Sequence, residues 1–216
     1  MDHNSLNVLS LFSGTQSWTK FYSKEDKVYN IDIEYLYPNT LCRDILTFDY
    51  KNEIKDKIDI IYASPPCNLY FTNMKQLKGN RKYTQYEKEL SLKLVDKTIE
   101  IINYFNPKFF VIENPRAKMR THYPEILGVK PTTVYYCMYG MEYMKPTDIW
   151  TNVPFITRGK CTHKKHNVLL KYDIPRGIVN DEQFKAVIPS ELSRDIYNSI
   201  ITNIENYIHI YNILKR

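Results

Sequence analysis

Two features of the sequence predict an α/β fold built on a doubly wound parallel sheet. Short apolar runs of strand length alternate with segments of helical periodicity, as in sheets that are covered by helices on both faces. Polar or turn-forming residues follow directly after several of these runs. Because ligands of such folds bind beyond the carboxyl ends of the strands, those residues are the first candidates for chemistry.

The individual elements follow from apolar periodicity and turn signals. A long helix is predicted to begin at Thr84-x-x-Glu87, which has the pattern of a capping box, and to continue with apolar residues at helical spacing. A second long helix is predicted from Pro189, a short one toward Tyr22, and a mobile loop over 68–85. Strands are predicted at 7–12, 28–33, 41–46, 58–63, 109–112, 133–137 and 147–151.

Composition favours a globular protein with a polyanionic partner. Of the 216 residues, 43% are hydrophobic, too many for a disordered chain. No run approaches the roughly 20 apolar residues of a membrane span. The start lacks the features of a secretory signal, and the four cysteines are far apart, so we expect thiols in a reducing, intracellular compartment. The net charge of +6 favours nucleic acid as the partner.

Polar segments follow the first two predicted strands. Ser13-Gly14 is a tight turn through which backbone amides can approach a ligand, although a glycine there can also serve packing alone. Asp32 and Glu34 end the second strand, where an acidic side chain of a doubly wound fold commonly accepts hydrogen bonds from ribose hydroxyls. A solvated strand end is the alternative interpretation.

Cys67 follows Ser64-Pro65-Pro66 at the end of the fourth predicted strand. Two prolines fix φ and leave no amide donors, so the chain is stiff there and cannot extend the sheet. A cysteine on such a turn is placed to meet a substrate, and its thiolate is a strong nucleophile. A buried structural cysteine is the alternative.

Glu113 and Asn114 follow the apolar run at 109–112. A carboxylate at the end of a buried strand is poorly solvated, so it can share a proton with a ring nitrogen. A helix cap or an ion pair at a strand end is the alternative.

Taken in this order, these features resemble the cytosine-5 DNA methyltransferase family, and the chain looks like one of its compact phage or viral members. The resemblance implies a Rossmann-like S-adenosylmethionine-dependent methyltransferase fold with a very small target-recognition region. It also implies double-stranded DNA as partner, S-adenosylmethionine as methyl donor and S-adenosylhomocysteine as product. We expect a monomer, with a partner subunit as the alternative, in the cytoplasm of a microbial or virus-infected cell. The segments that carry it are LFSGT (11–15), VYNIDIE (28–34), RDI (43–45), SPPCN (64–68), ENP (113–115) and YGMEYMKPT (139–147).

The same resemblance implies a set of cofactor-binding residues. Phe12 is expected to pack on the adenine, Asp32 to hold the ribose, and Asp44 to bond the adenine amino group. Ile33 stands where many relatives place an aromatic residue against the adenine. The other predicted members of the cofactor site are Ser13, Gly14, Ile45 and Pro65.

The implied catalytic residues are Cys67, Glu113, Asn114 and Lys145. Cys67 would attack C6 of cytosine, which makes C5 nucleophilic toward the methyl group. Glu113 would bond N3 and the exocyclic amine and stabilise the charge on the ring. Asn114 would brace the nucleophile loop, and Lys145 would donate to the base oxygen.

Four departures from the family pattern stand out. Asn68 replaces the usual glutamine after the cysteine, and Pro115 replaces the usual valine after the acid motif. Lys145 and Thr147 stand where the late motif carries two arginines, and a lysine is a point charge without the planar fork of arginine. The usual asparagine motif of the closing helix is not found.

We expect a catalytic core over 1–151, a short target-recognition region over 152–187 and a closing helix over 188–216. The middle region contains Cys161-x-His163-x-x-His166, which suggests zinc, but no fourth ligand is evident. We therefore predict no metal there and favour backbone or phosphate contacts. Its basic cluster consists of Arg158, Lys160, Lys164, Lys165 and Lys171.

Three alternatives stay open at the level of sequence. An amino-methyltransferase acting on adenine N6 or cytosine N4 would also use two prolines, but it would have an aromatic residue in place of Cys67. A nucleic-acid-binding relative that has lost activity would explain the missing arginines. RNA could replace DNA as the substrate, because nothing here reports on a 2′-hydroxyl.

Overall fold

The computed structural model describes residues 5–71, 82–166 and 186–214, the last eight of them by their backbone alone. Most of the loop predicted over 68–85, and Lys171 of the basic cluster, lie outside these residues.

In the part of the chain that the structure describes, seven strands form one sheet at the centre of the molecule, with the strand order β3-β2-β1-β4-β5-β7-β6. The first five strands in this order are parallel, whereas β7 pairs antiparallel with both β5 and β6. This arrangement confirms the predicted α/β sheet and all seven strands. Their bounds are β1 (Asn7–Leu11), β2 (Lys27–Asp32), β3 (Thr40–Cys42), β4 (Ile60–Ala63), β5 (Phe109–Pro115), β6 (Thr132–Tyr135) and β7 (Pro146–Thr151).

Within the described residues, four α-helices and a short 3₁₀ helix accompany the sheet. Among the long ones, α2 begins at the predicted capping box: the Thr84 hydroxyl accepts from the Glu87 amide at 3.1 Å, and the Glu87 carboxylate accepts from the Thr84 amide at 2.8 Å. The helices are α1 (Tyr50–Glu53), α2 (Gln85–Phe105), α3 (Met119–His122) and α4 (Ser190–Leu214), and the 3₁₀ helix is Tyr136–Tyr139. Among the described residues, no helix is both long and apolar enough to cross a bilayer.

Helices bury both faces of the sheet, which is why the central strands are apolar at consecutive positions. Val8 and Leu9 are adjacent on β1 and both fully buried, yet they belong to different cores. Leu9 packs in the core that contains α2, and Val8 in the core that contains α4. The predicted stripe of α4 is buried at Leu192, Ile196, Ile200 and Ile204.

The structure differs from the sequence-based expectations at two strand ends. The segment after β1 forms turns, and the short helix predicted toward Tyr22 is absent from it. The strand predicted to stop at position 112 continues through Pro115, because Glu113 and Asn114 pair with Ile149 and Asp148 of β7. That pairing joins residues far apart in sequence, so local turn signals did not reveal it.

Candidate active site

The predicted site residues gather at the carboxyl edge of the parallel strands. Leu11 is in register with Ile31 of β2 and with Ala63 of β4, and Ala63 is in register with Ile112 of β5. The segments that follow these four strands therefore leave the sheet side by side. They carry the two predicted halves of the site. We call one the cofactor half (Phe12, Ser13, Gly14, Asp32, Ile33, Asp44 and Ile45) and the other the nucleophile half (Cys67, Glu113, Asn114 and Lys145).

The turn after β1 has a strained backbone. Phe12 and Gly14 both have positive φ, 56° and 42°, a region that costs a non-glycine residue roughly 1–2 kcal/mol. The turn is held by Ser13 N, which donates to Ile31 O at 3.0 Å, and by Gly14 N, which donates to the Asp32 carboxylate at 2.8 Å. Such strain often accompanies ligand contact.

Ser13 and Asn114 each leave one polar atom without a hydrogen-bond partner in the described part of the chain. These atoms are Ser13 Oγ and Asn114 Oδ1, and both are buried. An unsatisfied buried polar atom costs about 1–3 kcal/mol, and a bound polar ligand would remove that cost. At Ser13 this fits the hydroxyl-rich and amine-rich body of a nucleoside cofactor.

The ends of β2 and β3 are open to solvent. Ile33 is 66% exposed, and an exposed apolar side chain at this edge suits the face of an adenine ring. Asp44 is exposed, and its carboxylate accepts from Leu46 N at 2.9 Å. Ile45, in contrast, is buried in the core, so only its backbone can contact a ligand.

In the nucleophile half, three hydrogen bonds with neighbouring segments hold the Cys67 turn. Ser64 N donates to Leu11 O at 3.3 Å, and Trp18 Nε1 donates to Ser64 Oγ at 3.1 Å. Asn114 Nδ2 donates to Pro65 O at 2.8 Å in a buried position. Cys67, two residues further on, is half-buried. The Asn114 amide thus ties the nucleophile turn to β5.

Glu113 precedes Asn114 on β5 and is surrounded by donors from the β6–β7 hairpin. Its carboxylate is 5% exposed, accepts from the Tyr136 hydroxyl at 3.0 Å and lies 3.9 Å from Lys145 Nζ. Burial, and then the charge of Glu113, raise the pKa of Tyr136 well above its ordinary value, so Tyr136 stays protonated and can donate. The same two causes raise the pKa of Tyr143 to about 12.

Tyr136 and Thr147 were not among the residues predicted for the site. Thr147, at one of the two missing arginine positions, is fully buried, and its hydroxyl donates to Lys145 O at 3.4 Å. Lys145 Nζ lies 4.7 Å from the centre of the Tyr136 ring. Position 136 falls inside a predicted strand, but nothing in the local sequence indicates that its hydroxyl reaches Glu113.

The two ends of the loop that follows Cys67 meet at Lys118. Lys118 Nζ lies 4.3 Å from the ring centres of both Tyr70 and Tyr83, and Lys118 N donates to Phe71 O at 3.1 Å. Burial lowers the pKa of Lys118. This contact of a cation with two aromatic rings holds the start and the end of the loop together.

Fold and site together define a methyltransferase of the Rossmann-like class, as predicted. The family model for the C-5 cytosine-specific DNA methylase matches residues 17–129, more than half of the chain, and the protein therefore belongs to that family. The matched range includes Cys67, Asn114 and Glu113. The turn after β1 and the β6–β7 hairpin lie outside it.

The chain is also similar to individual proteins. The chain is 29% identical over 168 residues to a protein of Frog virus 3 (isolate Goorha) named "Probable DNA (cytosine-5)-methyltransferase", covering 74% of this chain and 77% of that one. It also resembles the solved structure of a Spodoptera frugiperda DNMT2 mutant (18% identity, TM-score 0.44, 76% and 54% of the two chains). A third similar protein is the Dnmt2 methyltransferase of S. pombe (16% identity, TM-score 0.45, 67% and 50%). The chain spans about half the length of these two solved proteins.

Proposed function

We propose that the protein transfers a methyl group from S-adenosylmethionine to C5 of cytosine in double-stranded DNA, through a covalent adduct with Cys67. The observation that carries the proposal is the buried hydrogen bond from Asn114 to Pro65 O. It fixes the Cys67 turn to the strand that holds Glu113, so nucleophile and acid act on one base. Family membership supports cytosine C5 as the acceptor.

The reaction proceeds by nucleophilic addition and elimination. The Cys67 thiolate forms a bond to C6, and the ring electrons pass to C5 as Glu113 shares a proton with N3. The bound sulfonium cofactor supplies an electrophilic methyl group to C5. Loss of the C5 proton to a water molecule then returns the electrons to the ring and breaks the bond between sulfur and C6, and the proton shared with N3 returns to Glu113. Cys67 leaves as thiolate, so the chain is unchanged at the end.

The hairpin residues keep Glu113 in place during these steps. Tyr136 donates to one carboxylate oxygen and Lys145 lies near the same oxygen, which orients the carboxyl group and leaves its other oxygen for the base. Lys145 also supplies positive charge near the base oxygen. Preoriented donors of this kind need little rearrangement as charge develops.

The cofactor half fits S-adenosylmethionine through a small set of contacts. Ser13 Oγ offers an unsatisfied hydroxyl, Asp32 an acceptor for the ribose, and Ile33 an exposed apolar face for the adenine. Asp44 would bond the adenine amino group. Phe12, Gly14 and the backbone of Ile45 complete the site, and the Gly14 amide holds the turn by donating to the Asp32 carboxylate. Pro65 lies at the border with the nucleophile half.

We propose that residues 1–151 form the catalytic core, 152–187 contact DNA and 188–216 close the fold, and that the chain acts as a monomer inside a microbial or virus-infected cell. The base must leave the duplex stack, at a cost of a few kcal/mol. Lys160, Lys164 and Lys165 are exposed and suit phosphates. Arg158 does not, because its guanidinium pairs with Glu191 and Asp195 of α4.

Covalent trapping tests the proposal. A DNA duplex with 5-fluorocytosine at the target base should form a stable adduct when S-adenosylmethionine is present, because fluorine blocks the proton loss that releases the enzyme. Cys67→Ser should form no adduct. Cys42→Ser is the matched control, because the thiol of the exposed Cys42 donates to Ile33 O and a serine hydroxyl can do the same.

Two results would contradict the proposal. Trapping by Cys67→Ser at the rate of the parent would exclude Cys67 as nucleophile. Digestion of treated DNA to nucleosides, followed by mass spectrometry, should show 5-methylcytosine. N4-methylcytosine or N6-methyladenine would favour an amino-methyltransferase. Methylation of RNA but not of DNA would show that RNA is the substrate.

A further inference from the structure

A cluster of two cysteines and two histidines lies outside the active site. Cys137 belongs to the 3₁₀ helix Tyr136–Tyr139, and the other members lie on the segment that follows β7. Cys161 Sγ is 3.4 Å from His163 Nδ1 and 3.0 Å from His166 Nε2. One ligand atom from each of the four side chains lies within 4.8 Å of all the others.

These four groups have the chemistry of a zinc ligand set. Structural zinc sites have four ligands in a closed tetrahedron: four cysteines, three cysteines and one histidine, or two of each. Bonds of about 2.3 Å to sulfur and about 2.0 Å to nitrogen hold the ligand atoms of a tetrahedron roughly 3.3–3.8 Å apart, so shifts on the order of 1 Å would complete the geometry. Two thiolates balance the charge of Zn²⁺, and the centre would be neutral beside the basic side chains around it.

The spacing of Cys161, His163 and His166 indicates three ligands and no fourth, which is why no metal is predicted from sequence. Cys137 is the missing member. It lies on the hairpin that also carries Tyr136, and only the packing of the later segment against this hairpin brings it to the other three. Sequence spacing could not have indicated this contact.

The two sides of the cluster are held together independently of any metal. Arg158 N donates to the Tyr139 hydroxyl at 3.1 Å, and the Arg158 guanidinium donates to Met138 O at 3.2 Å. The same guanidinium pairs with Asp195 at 2.9 Å and with Glu191. Both anchors are within two residues of Cys137, so the ligands are brought together before a metal binds.

We propose that Cys137, Cys161, His163 and His166 bind one structural Zn²⁺. The metal fixes the 161–166 segment to the β6–β7 hairpin. Lys164 and Lys165 lie between two of the ligands, and Lys160 directly precedes the first. Zinc would therefore hold these three cations at a set distance from the active site, a role in DNA binding that rests on the proposed function.

Metal analysis of the full chain tests the site directly. Protein purified under reducing conditions without chelator should contain about one zinc per chain by inductively coupled plasma mass spectrometry. Cys137→Ser and Cys161→Ser should each lose most of it. Cys42→Ser is the matched control and should keep it, because Cys42 lies at the other edge of the sheet. His166→Cys should also keep it, since a thiolate can replace an imidazole as ligand.

Cobalt substitution reports the ligands in the folded parent and does not depend on any variant. Co²⁺ should give the visible bands of a tetrahedral site and an ultraviolet thiolate charge-transfer band, which should halve in each single-cysteine variant that binds cobalt. Parent protein without zinc and without a thiolate–cobalt band would overturn the proposal. A disulfide between Cys137 and Cys161 in protein that was purified under reducing conditions would also overturn it, as would full zinc content in Cys137→Ser.

Zinc content and methyl transfer can be told apart. Methylation by zinc-free protein with unaltered DNA affinity would leave the proposed function standing and overturn the role of the metal in DNA binding. Stoichiometric zinc on protein that neither traps 5-fluorocytosine nor methylates DNA would support the metal site and contradict the proposed function. If both hold, removing zinc should weaken DNA binding and flatten its salt dependence.

Discussion

At the carboxyl edge of the sheet, the nucleophile half is buried and linked by side chains, whereas the cofactor half is open and held by its backbone. Glu113 is 5% exposed and Ile33 66% exposed, although both lie at or just beyond strand ends. Side chains from β5 and the hairpin fix the carboxyl group of Glu113 and the turn before Cys67. In the cofactor half, the turn after β1 is held by amides that donate to Ile31 O and to the Asp32 carboxylate.

The difference matches what each half has to do. A group that stabilises a transition state is most effective when it is oriented before the reaction, because no free energy is then spent on rearrangement. A cofactor site has to release its product after every turnover, so exposed side chains that are covered only by the ligand suit it. Substitutions in the nucleophile half should therefore reduce the rate, and those in the cofactor half should reduce affinity.

Glu113→Gln should have the largest effect. General acid–base groups contribute about 100- to 10,000-fold to a rate, and we expect a fall in kcat of that order with unchanged binding of S-adenosylhomocysteine. Single-turnover methylation and calorimetry measure the two quantities. Glu125→Gln removes an exposed carboxylate away from the site and should change neither. An unaltered rate in Glu113→Gln would remove this residue from the chemistry.

Tyr136→Phe should have the next largest effect on the rate, because it deletes the hydrogen bond to the Glu113 carboxylate. A hydrogen bond to a charged group contributes about 1.5–3 kcal/mol, and we expect a loss of that size in kcat/KM. Thr147→Val is the matched variant: it removes a buried hydroxyl that donates to Lys145 O and leaves the Tyr136–Glu113 hydrogen bond, so its effect should be smaller. Equal losses in the two variants, each with a lowered melting temperature, would point to a folding defect alone.

Most of the fold could be predicted from sequence because its signals are local. The capping box at Thr84 and Glu87 and the buried stripe of α4 depend on residues within a few turns of one another. The continuation of β5 through Pro115 was missed, because it depends on pairing with β7 more than thirty residues later. The turns before Tyr22 were missed for a different reason: their apolar residues fit a helix as well.

The candidate site divides in the same way. Cys67 comes after β4, and Glu113 and Asn114 come directly after the apolar run of β5, so the parallel sheet is enough to place them at one edge. Tyr136 and Cys137 reach their partners only through tertiary packing of the hairpin, and their positions along the chain carry no local signal.

Asp32→Ala tests the cofactor half at the ribose. Leaving a polar partner unsatisfied should weaken S-adenosylmethionine binding by about 1–3 kcal/mol, with a smaller change in the rate of bound complex. In Asp32→Asn the side-chain oxygen can still accept from Gly14 N. This variant therefore separates the effect of the turn hydrogen bond from the effect of the negative charge. Calorimetry with Glu34→Ala as control checks the assignment. Normal binding in Asp32→Ala together with lost binding in Glu34→Ala would move the ribose contact to Glu34.

Substitutions at Ile33 should have the smallest effect, a change in the affinity for S-adenosylmethionine. They also distinguish the two halves most directly. Ile33→Ala removes three carbons that a bound adenine would cover on one side. Each fully buried methylene contributes ~0.8 kcal/mol. Because the adenine covers these three carbons on one side, we expect a loss of about 1 kcal/mol in binding free energy, or a roughly fivefold higher Kd for S-adenosylmethionine. Ile33→Phe should act in the opposite direction, since an aromatic pair adds about 0.5–1.5 kcal/mol. Ile156→Ala, which truncates a side chain that is 92% exposed and lies beyond β7, should leave Kd unchanged. All three variants should keep the parental rate of methyl transfer at saturating cofactor. A change in that rate without a change in Kd would mean that Ile33 acts on the nucleophile half, and the division between the halves would fail.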